Sequence, residues 1–286
     1  MMSITDVVRT GRGTASDHAV DVLSHLPAIS LDDLNARASL QTRVDRKYVV
    51  PVADLPGVLG DLGPDTRALE IDGARGSHYE SVYFDTADLT SYRAAAQRRR
   101  RRFKIRTRSY VDTAQCYLEV KTRGGRSLTV KERIEHPFSA PDLLTSDGLD
   151  YIDAALAESG ICSVDPTELQ AMLITSYTRT TLFLPSSDSR ATVDLSLDWS
   201  GIGGDRILTP NIAVVETKSG STPSAVDHIL WRHGHRPSNI SKYGVGMAAL
   251  HPDLPQNKWR RVLDRHLLPD VVRPTSFPSS TTRSTS

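Results

Sequence analysis

The feature that most constrains this fold is a run of three segments between residues 97 and 136 in which charged and apolar side chains alternate. Successive side chains of a β-strand point to opposite faces. In the first segment the alternation puts Lys104, Arg106 and Arg108 on one face and apolar side chains on the other. A helical period would mix the two sets, so the pattern predicts consecutive strands with one charged face.

The same alternation predicts eight strands along the chain. They cover residues 42–50, 79–85, 101–110, 115–122, 127–135, 174–184, 190–199 and 212–219. Helical patterns separate several of them, at 30–37, 51–62, 86–97, 141–158, 223–233 and 257–267. Few of these segments follow a strict strand–helix–strand order, which favours an α+β fold over a doubly wound sheet.

Composition bounds the domain organisation. The chain has 286 residues, with no linker-like segment inside it, so we expect one domain over 29–268. Residues 1–28 lack clear periodicity and are expected to be poorly ordered. The segment 269–286 is rich in Ser, Thr and Pro and is expected to be a disordered tail.

Two cysteines without a CxxC pair, and no apolar run of membrane-spanning length, predict a cytoplasmic protein without a transmembrane segment. Lys plus Arg number 35 against 34 for Asp plus Glu, so the net charge gives no sign of a polyanionic partner. The basic residues are clustered instead. Eight of the eleven positions from Arg98 to Arg108 are Arg or Lys, and local field depends on such clustering.

The charged faces of the predicted strands carry more bases than acids. The bases are Arg43, Lys47, Lys104, Arg106, Arg108, Lys121, Lys131, Arg133, Arg179 and Lys218; the acids are Asp45, Glu119, Asp194, Asp198 and Glu216. For any single strand, a charged face in water explains the pattern best. Across six strands, a closed barrel with a basic lumen explains it better, with phosphates inside and a divalent cation held by carboxylates.

Nine segments, in order, resemble the polyphosphate-polymerase domain of the vacuolar transporter chaperone (VTC) family, within the CYTH-like triphosphate tunnel metalloenzymes. They read RVDRKYVV, SVYFDT, KIRTRSY, LEVKTR, TVKERI, SYTRTTL, VDLSLDW, VVETKS and SKYGVG. The resemblance covers about Arg43 to Gly246. It implies an eight-stranded antiparallel closed tunnel barrel with a charged lumen, flanked by helices. It also implies transfer of the γ-phosphate of a nucleoside triphosphate (ATP) to a growing polyphosphate chain with Mn²⁺ or Mg²⁺.

The resemblance also implies roles for individual residues. Catalytic phosphate contacts match Lys47, Arg106, Arg108, Lys121, Lys131, Arg179 and Lys242. The metal-binding glutamate matches Glu216, and Asp194, Asp198 and Glu119 are further candidate ligands on the charged faces. Substrate contacts on those faces are expected from Arg43, Lys104, Arg133, Lys218 and Tyr177.

Three functional hypotheses remain open on this basis. The first is a polyphosphate polymerase, the second a triphosphatase or nucleoside triphosphatase of the same tunnel, and the third a non-catalytic polyphosphate-binding module. The first strand carries Arg43, Asp45 and Lys47 where hydrolytic tunnel enzymes have Glu-x-Glu-x-Lys, which favours polymer binding or transfer. No nucleic acid is expected as a partner, because aromatic residues do not interleave with the bases. Arg98 to Arg100 are expected to form an entrance patch that recruits polyanions.

Overall fold

The computed structural model describes residues 15–37, 44–123 and 129–273, without the side chains of 15–18 and 129–131. Helices and a largely antiparallel sheet make up an α+β fold. The strands are β1 (Ala28–Ile29), β2 (Val44–Pro51), β3 (Arg67–Leu69), β4 (Ser77–Asp85), β5 (Arg102–Tyr110), β6 (Gln115–Arg123), β7 (Thr129–Glu135), β8 (Gln170–Leu184), β9 (Ser189–Gly201), β10 (Arg206–Thr209) and β11 (Ile212–Ser219). The helices are α1 (Ala15–His25), α2 (Leu31–Arg37), α3 (Leu55–Gly60), α4 (Thr90–Ala96), α5 (Ser146–Glu158), α6 (Ala225–Arg232), α7 (Lys242–Leu250) and α8 (Arg260–Val262), which continues as a π-helical turn over Leu263–Leu267.

The eight strands expected from alternation are all present, and so is the α+β class. The expected number of strands is wrong, because three short strands, β1, β3 and β10, bring the described total to eleven. A closed barrel requires hydrogen bonds between the first and last strands of the order. Among the described residues the paired strands instead form an open order with β2 and β7 at its ends. The closed barrel predicted from the sequence is therefore not observed.

Contact density groups the residues into two compact units, and β8 and β9 pass through both. The first unit comprises the described residues up to 77 together with 178–195 and 211–238. Its strand order is β2–β11–β9–β8, with β3 on β8 and β1 on β3. Helices α1, α3 and α6 cover the apolar face, where Tyr48, Val193, Val215 and Leu230 are buried. Helix α1 lies within the segment for which the sequence predicts little order, and its Ala19 and Leu23 join this core.

A buried carboxylate joins the strands of the first unit to α6. Asp227 accepts hydrogen bonds from the Tyr48 hydroxyl at 2.5 Å and from the Thr217 hydroxyl at 2.6 Å. Its other oxygen accepts from the backbone N–H of Ser224 at 2.7 Å, completing a capping box at the start of α6. Because every one of these groups is buried, the network fixes α6 on the back of the strands that carry Lys47 and Glu216.

The second unit comprises the described residues of 78–177, 196–210 and 239–273. Its strand order is β8–β4–β5–β6–β7. Helix α5 packs on the apolar face of this sheet, through Ile152 and Leu156 against residues such as Ile105 and Leu118. The opposite face therefore receives the charged side chains of the same strands.

Helix α7, which the hydrophobic pattern did not reveal, belongs to the second unit. All its residues from Tyr243 to Leu250 are buried, so it has no polar face to give a helical period. Its two glycines, Gly244 and Gly246, lie so close to Trp259 and Trp199 that a Cβ at either would overlap an indole ring. The Trp199 indole N–H also donates to the Lys242 carbonyl at 2.9 Å, which fixes the start of the helix.

Candidate functional site

The charged face of the second unit is built from three paired strands. We call it the Arg106 face; its residues are Lys104, Arg106, Arg108, Tyr117, Glu119, Lys121 and Arg133. The register places Arg106 of β5 opposite Glu119 of β6, which in turn lies opposite Arg133 of β7. This register brings the charged residues of the three strands together in rows across the sheet.

The central row is a buried ion pair. Arg106 donates from Nε at 2.8 Å and from Nη2 at 2.5 Å to the same oxygen of Glu119, and from Nη1 at 3.2 Å to the Tyr83 hydroxyl. The Glu119 side chain is only 3% exposed. Burial alone would lower the pKa of Arg106, but Tyr83 and Glu119 outweigh it and raise the pKa. Arg106 is thus a permanent cation with a fixed orientation.

Arg108 adds a second buried guanidinium to this face. Its Nη1 lies 3.7 Å from the other Glu119 oxygen, and its guanidinium carbon is 5.7 Å from the centre of the Tyr79 ring. Its Nε is buried without a hydrogen-bond partner among the described residues. Ser81, which the register places opposite Arg108 on β4, likewise has a buried hydroxyl without a partner there. Buried donors of this kind are rare in proteins and mark a place where a further acceptor fits.

The next row consists of lysines alone. Lys104 of β5 lies opposite Lys121 of β6, which is paired with position 131 of β7. The Lys104 ammonium donates to the Ser241 hydroxyl at 2.9 Å and lies 5.8 Å from the Tyr83 ring centre. The Lys121 side chain is exposed. A row of like charges is a place to which an anion would be attracted.

Tyrosine rings hold several of the cations. The Lys242 ammonium lies 4.1 Å from the ring centre of Tyr177, and the Arg133 guanidinium lies 4.5 Å from that of Tyr117. Tyr177 is itself stacked on Tyr79, with ring centres 5.5 Å apart and planes 9° from parallel. These contacts orient the cations through the ring quadrupoles.

The first unit carries a second group, the Glu216 cluster, made of Lys47, Arg179, Asp194, Glu216 and Lys218. Lys47 donates to Glu216 at 2.7 Å, and Arg179 binds Asp194 through two hydrogen bonds of 2.6 and 2.8 Å. Burial would raise the pKa of Glu216. The charges of Lys218, Lys47 and Arg179 instead hold that pKa well below the ordinary glutamate value. Glu216 is therefore an anion at neutral pH inside a surplus of cations.

The carboxylates predicted to bind metal are each engaged by a base. Asp198 is bound by Arg206 of the neighbouring strand β10, and Glu119 by Arg106. Glu216 and Asp194 share one face of adjacent strands, because Glu216 lies opposite Thr192, two residues from Asp194. Within the described ranges no group of three or more His, Cys, Asp or Glu side chains could hold a metal ion. These oxygens suit a hard cation only if phosphate oxygens supply most of its ligands.

Two predicted site residues cannot be placed. Arg43 and the side chain of Lys131 lie outside the described residues. Sequence reasoning in turn missed Tyr83, Tyr79 and Ser241, which contact the predicted cations. The alternation in strand 79–85 already puts Tyr79 and Tyr83 on one face, so reading that strand for its face would have found them. Ser241 begins the segment SKYGVG, from which the resemblance assigned a role to Lys242 but none to Ser241.

Fold and site together define an α+β protein whose sheet carries buried, preoriented cations on one face. The chain belongs to the VTC domain family, whose model matches residues 42–251. A search of curated proteins found no match. Within the described ranges, no helix has the length and apolarity needed to cross a membrane.

Solved structures similar to the chain have low identity to it. An adenylyl cyclase candidate from Hippeastrum, described as having a dominant triphosphatase activity, is 15% identical, with a TM-score of 0.46 over 76% of this chain and 100% of its own. An adenylate cyclase candidate from Bacillus halodurans is 13% identical, with a TM-score of 0.42 over 70% of this chain and 94% of its own. A protein from Pyrococcus horikoshii is 12% identical, with a TM-score of 0.38 over 72% and 99%.

Proposed function

We propose that this protein is a polyphosphate polymerase-like phosphotransferase. It transfers the γ-phosphate of a nucleoside triphosphate, ATP in the first instance, to a growing polyphosphate chain. The observation that carries the proposal is the lysine row of the Arg106 face, where Lys104 and Lys121 lie opposite each other beside the buried Arg106. A row of cations next to a fixed guanidinium is suited to a chain of phosphates. Membership of the VTC domain family points to the same chemistry.

The Arg106 face would act by positioning and charge stabilisation, which account for most of the catalysis in phosphoryl transfer. Arg106, held by Glu119 and Tyr83, presents a preoriented cation, so little reorganisation is needed as charge moves between phosphates. Arg108 offers its buried Nε as a donor. Lys104 and Lys121 neutralise the oxygens of the neighbouring phosphates. The attacking phosphate oxygen is ionised at neutral pH, so no side chain is needed as a general base.

In the Glu216 cluster, Lys47, Arg179 and Lys218 would bind phosphate oxygens. Glu216, assisted by Asp194, would be the protein ligand of Mn²⁺ or Mg²⁺. The cation would supply charge neutralisation between leaving and transferred phosphates. The low pKa of Glu216 supports this assignment, since a metal ligand must be ionised at working pH.

The decisive experiment is incubation with ATP and Mn²⁺, with products separated by gel electrophoresis. Long phosphate chains support the proposal. Release of free phosphate without chains identifies a triphosphatase, and tight polyphosphate binding without turnover identifies a binding module.

Single variants then test the site. Lys121→Ala removes an exposed side chain, so the fold should persist while the rate of chain synthesis falls about 100-fold or more. Arg232→Ser, which removes an equally charged and likewise exposed side chain on α6, outside the Arg106 face, is the control and should leave the rate unchanged. Equal activity of Lys121→Ala and the control would refute the proposed role of the lysine row.

A further inference from the structure

A pair of stacked tyrosines connects Arg106 to a buried carboxylate. The rings of Tyr83 and Tyr243 have centres 5.2 Å apart and planes 20° from parallel, and each residue is only 2% exposed. Arg106 donates from Nη1 to the Tyr83 hydroxyl at 3.2 Å. The Tyr243 hydroxyl donates to a carboxylate oxygen of Asp85 at 2.6 Å. One hydroxyl of the pair therefore contacts the cation, and the other contacts a buried anion.

Asp85 is a firm anchor for this pair. Its side chain is buried, and its carboxylate accepts hydrogen bonds at 2.8–2.9 Å from the backbone N–H groups of Thr86, Ser91 and Tyr92. Burial raises the pKa of Tyr243 and Asp85 raises it further, so the Tyr243 hydroxyl keeps its proton and donates it. Tyr243 is thus fixed by a carboxylate that is itself fixed by the backbone, and its ring in turn packs on the ring of Tyr83.

The Tyr83 hydroxyl completes the fixation of the Arg106 guanidinium. Glu119 accepts from Nε at 2.8 Å and from Nη2 at 2.5 Å, which together form one edge of the group. Tyr83 accepts from the remaining nitrogen, Nη1. A planar guanidinium that is bound along one edge can still tilt about that edge, so the second acceptor is what sets its direction.

Packing alone does not account for a tyrosine at position 83. The ring fills buried space as a phenylalanine ring would, and the Lys104 ammonium lies 5.8 Å from its centre. Burying a hydroxyl is unfavourable unless the hydroxyl is hydrogen-bonded, and this one is bonded to Arg106. The hydroxyl is therefore the part of Tyr83 that packing leaves unexplained.

We infer that Tyr83 is a positioning residue for Arg106 in the proposed phosphoryl transfer, and that Tyr243 and Asp85 hold it in place. The inference rests on the proposed function. Phosphoryl transfer depends on cations that are already directed at the oxygens on which charge develops, because reorientation during the reaction costs energy. Tyr83 contributes no charge, so it acts on turnover through the direction of the guanidinium and not through the attraction of phosphate.

The variant Tyr83→Phe tests the hydroxyl by itself, because it keeps the ring, the stack on Tyr243 and the contact with Lys104. With ATP and Mn²⁺, kcat should fall about 10-fold, the order expected for loss of one hydrogen bond to a charged group. KM for ATP and the dissociation constant of tripolyphosphate should stay within about 2-fold, because no charge is removed.

Tyr151→Phe is the matched control. Tyr151 lies on α5, packs on the apolar face of the same sheet, and has a buried hydroxyl without a hydrogen-bond partner among the described residues. Its substitution removes the same atom far from the guanidinium of Arg106. It should leave kcat, KM and the dissociation constant as they are in the unmodified protein.

Nuclear magnetic resonance of isotope-labelled protein gives a readout that does not depend on turnover. The guanidinium signals of Arg106 are identified by their absence from Arg106→Lys. Rotation about the Nε–Cζ bond should be slow in the unmodified protein and in Tyr151→Phe. It should be faster in Tyr83→Phe, because the acceptor of Nη1 is gone.

Unchanged kcat in Tyr83→Phe would overturn the inference and leave the proposed function standing. Unchanged rotation of the Arg106 guanidinium would also overturn it, as would a rise in KM that accounts for the whole loss of activity. If the unmodified protein releases phosphate from ATP but makes no chains, the polymerase proposal fails. The inference is then decided by the same two measurements, with kcat taken from phosphate release. A protein without any turnover of ATP would refute both.

Discussion

Replacing Glu119 by glutamine tests whether the buried cations of the Arg106 face are arranged for an anion. The substitution keeps the size and one hydrogen-bond acceptor of the side chain but removes its charge. Arg106 and Arg108, whose side chains are 18% and 10% exposed, would then lack their shared counter-ion. We expect the protein to lose stability without ligand and to bind phosphate chains more tightly.

The magnitude follows from burial. Removing one partner of a buried ion pair costs about 3–5 kcal/mol. A neutral hydrogen bond from Arg106 to the glutamine recovers about 1 kcal/mol, which leaves a loss of about 2–4 kcal/mol in the free energy of unfolding. For a chain of this size that loss lowers Tm by about 5–15 °C. Tripolyphosphate should restore much of it, because a bound anion replaces the missing charge, and saturation at 100 times Kd adds about 2.7 kcal/mol by mass action.

The assay is thermal unfolding of both proteins over a tripolyphosphate titration, with Glu132→Gln as the control. Glu132 lies on the adjacent strand β7 with an exposed side chain, so its loss removes the same charge without uncovering a buried cation. The reasoning fails if Glu119→Gln costs less than about 1 kcal/mol. It also fails if tripolyphosphate raises the Tm of the variant no more than that of the unmodified protein.

The remaining predictions concern stability. The folded-state pKa of Glu216 is depressed, so its stabilising contribution is present above the ordinary glutamate pKa, about 4.3, and is lost as pH falls below it. Urea unfolding between pH 6 and about pH 3 should show a shallower loss of stability for Glu216→Gln. Gly246→Ala should lower the free energy of unfolding by about 1–3 kcal/mol, because the added Cβ would overlap Trp199. The control Gly203→Ala, which has open space around it, should lower it by under about 1 kcal/mol in the same urea assay. Asp85→Ala should lower Tm by about 5 °C or more, because the carboxylate accepts three backbone N–H groups around the start of α4; an unchanged Tm would contradict that role.

The alternation of charged and apolar residues along the strands predicted which side chains share the charged face of the candidate site. It put Lys104, Arg106 and Arg108 on one face, and the observed strand register keeps them there. It could not reveal the pairing of Arg106 with Glu119, because alternation assigns a face to a side chain but not a partner on the next strand. The prediction of eight strands was wrong for a related reason. The additional strands β1, β3 and β10 have two to four residues each, which is too short to show a period.

Helix α7 escaped prediction because a helix buried on all sides has no amphipathic pattern. The sequence SKYGVGMAAL also carries two glycines, which individually disfavour a helix. The tertiary contacts of Gly244 and Gly246 with tryptophan rings override that propensity. A pattern confined to neighbouring residues cannot show such contacts, since Trp199 lies far away along the chain.

The glycines of α7 have a consequence for how mutational data on this protein should be interpreted. Lys242, which lies over Tyr177, is the first residue of a helix fixed by Gly244, Gly246 and the indole of Trp199. In a deep mutational scan that records only activity, substitutions at the two glycines would be indistinguishable from loss of Lys242 itself. A parallel measurement of protein abundance would separate them, because the glycine variants should be depleted from the soluble pool whereas Lys242 variants should accumulate normally.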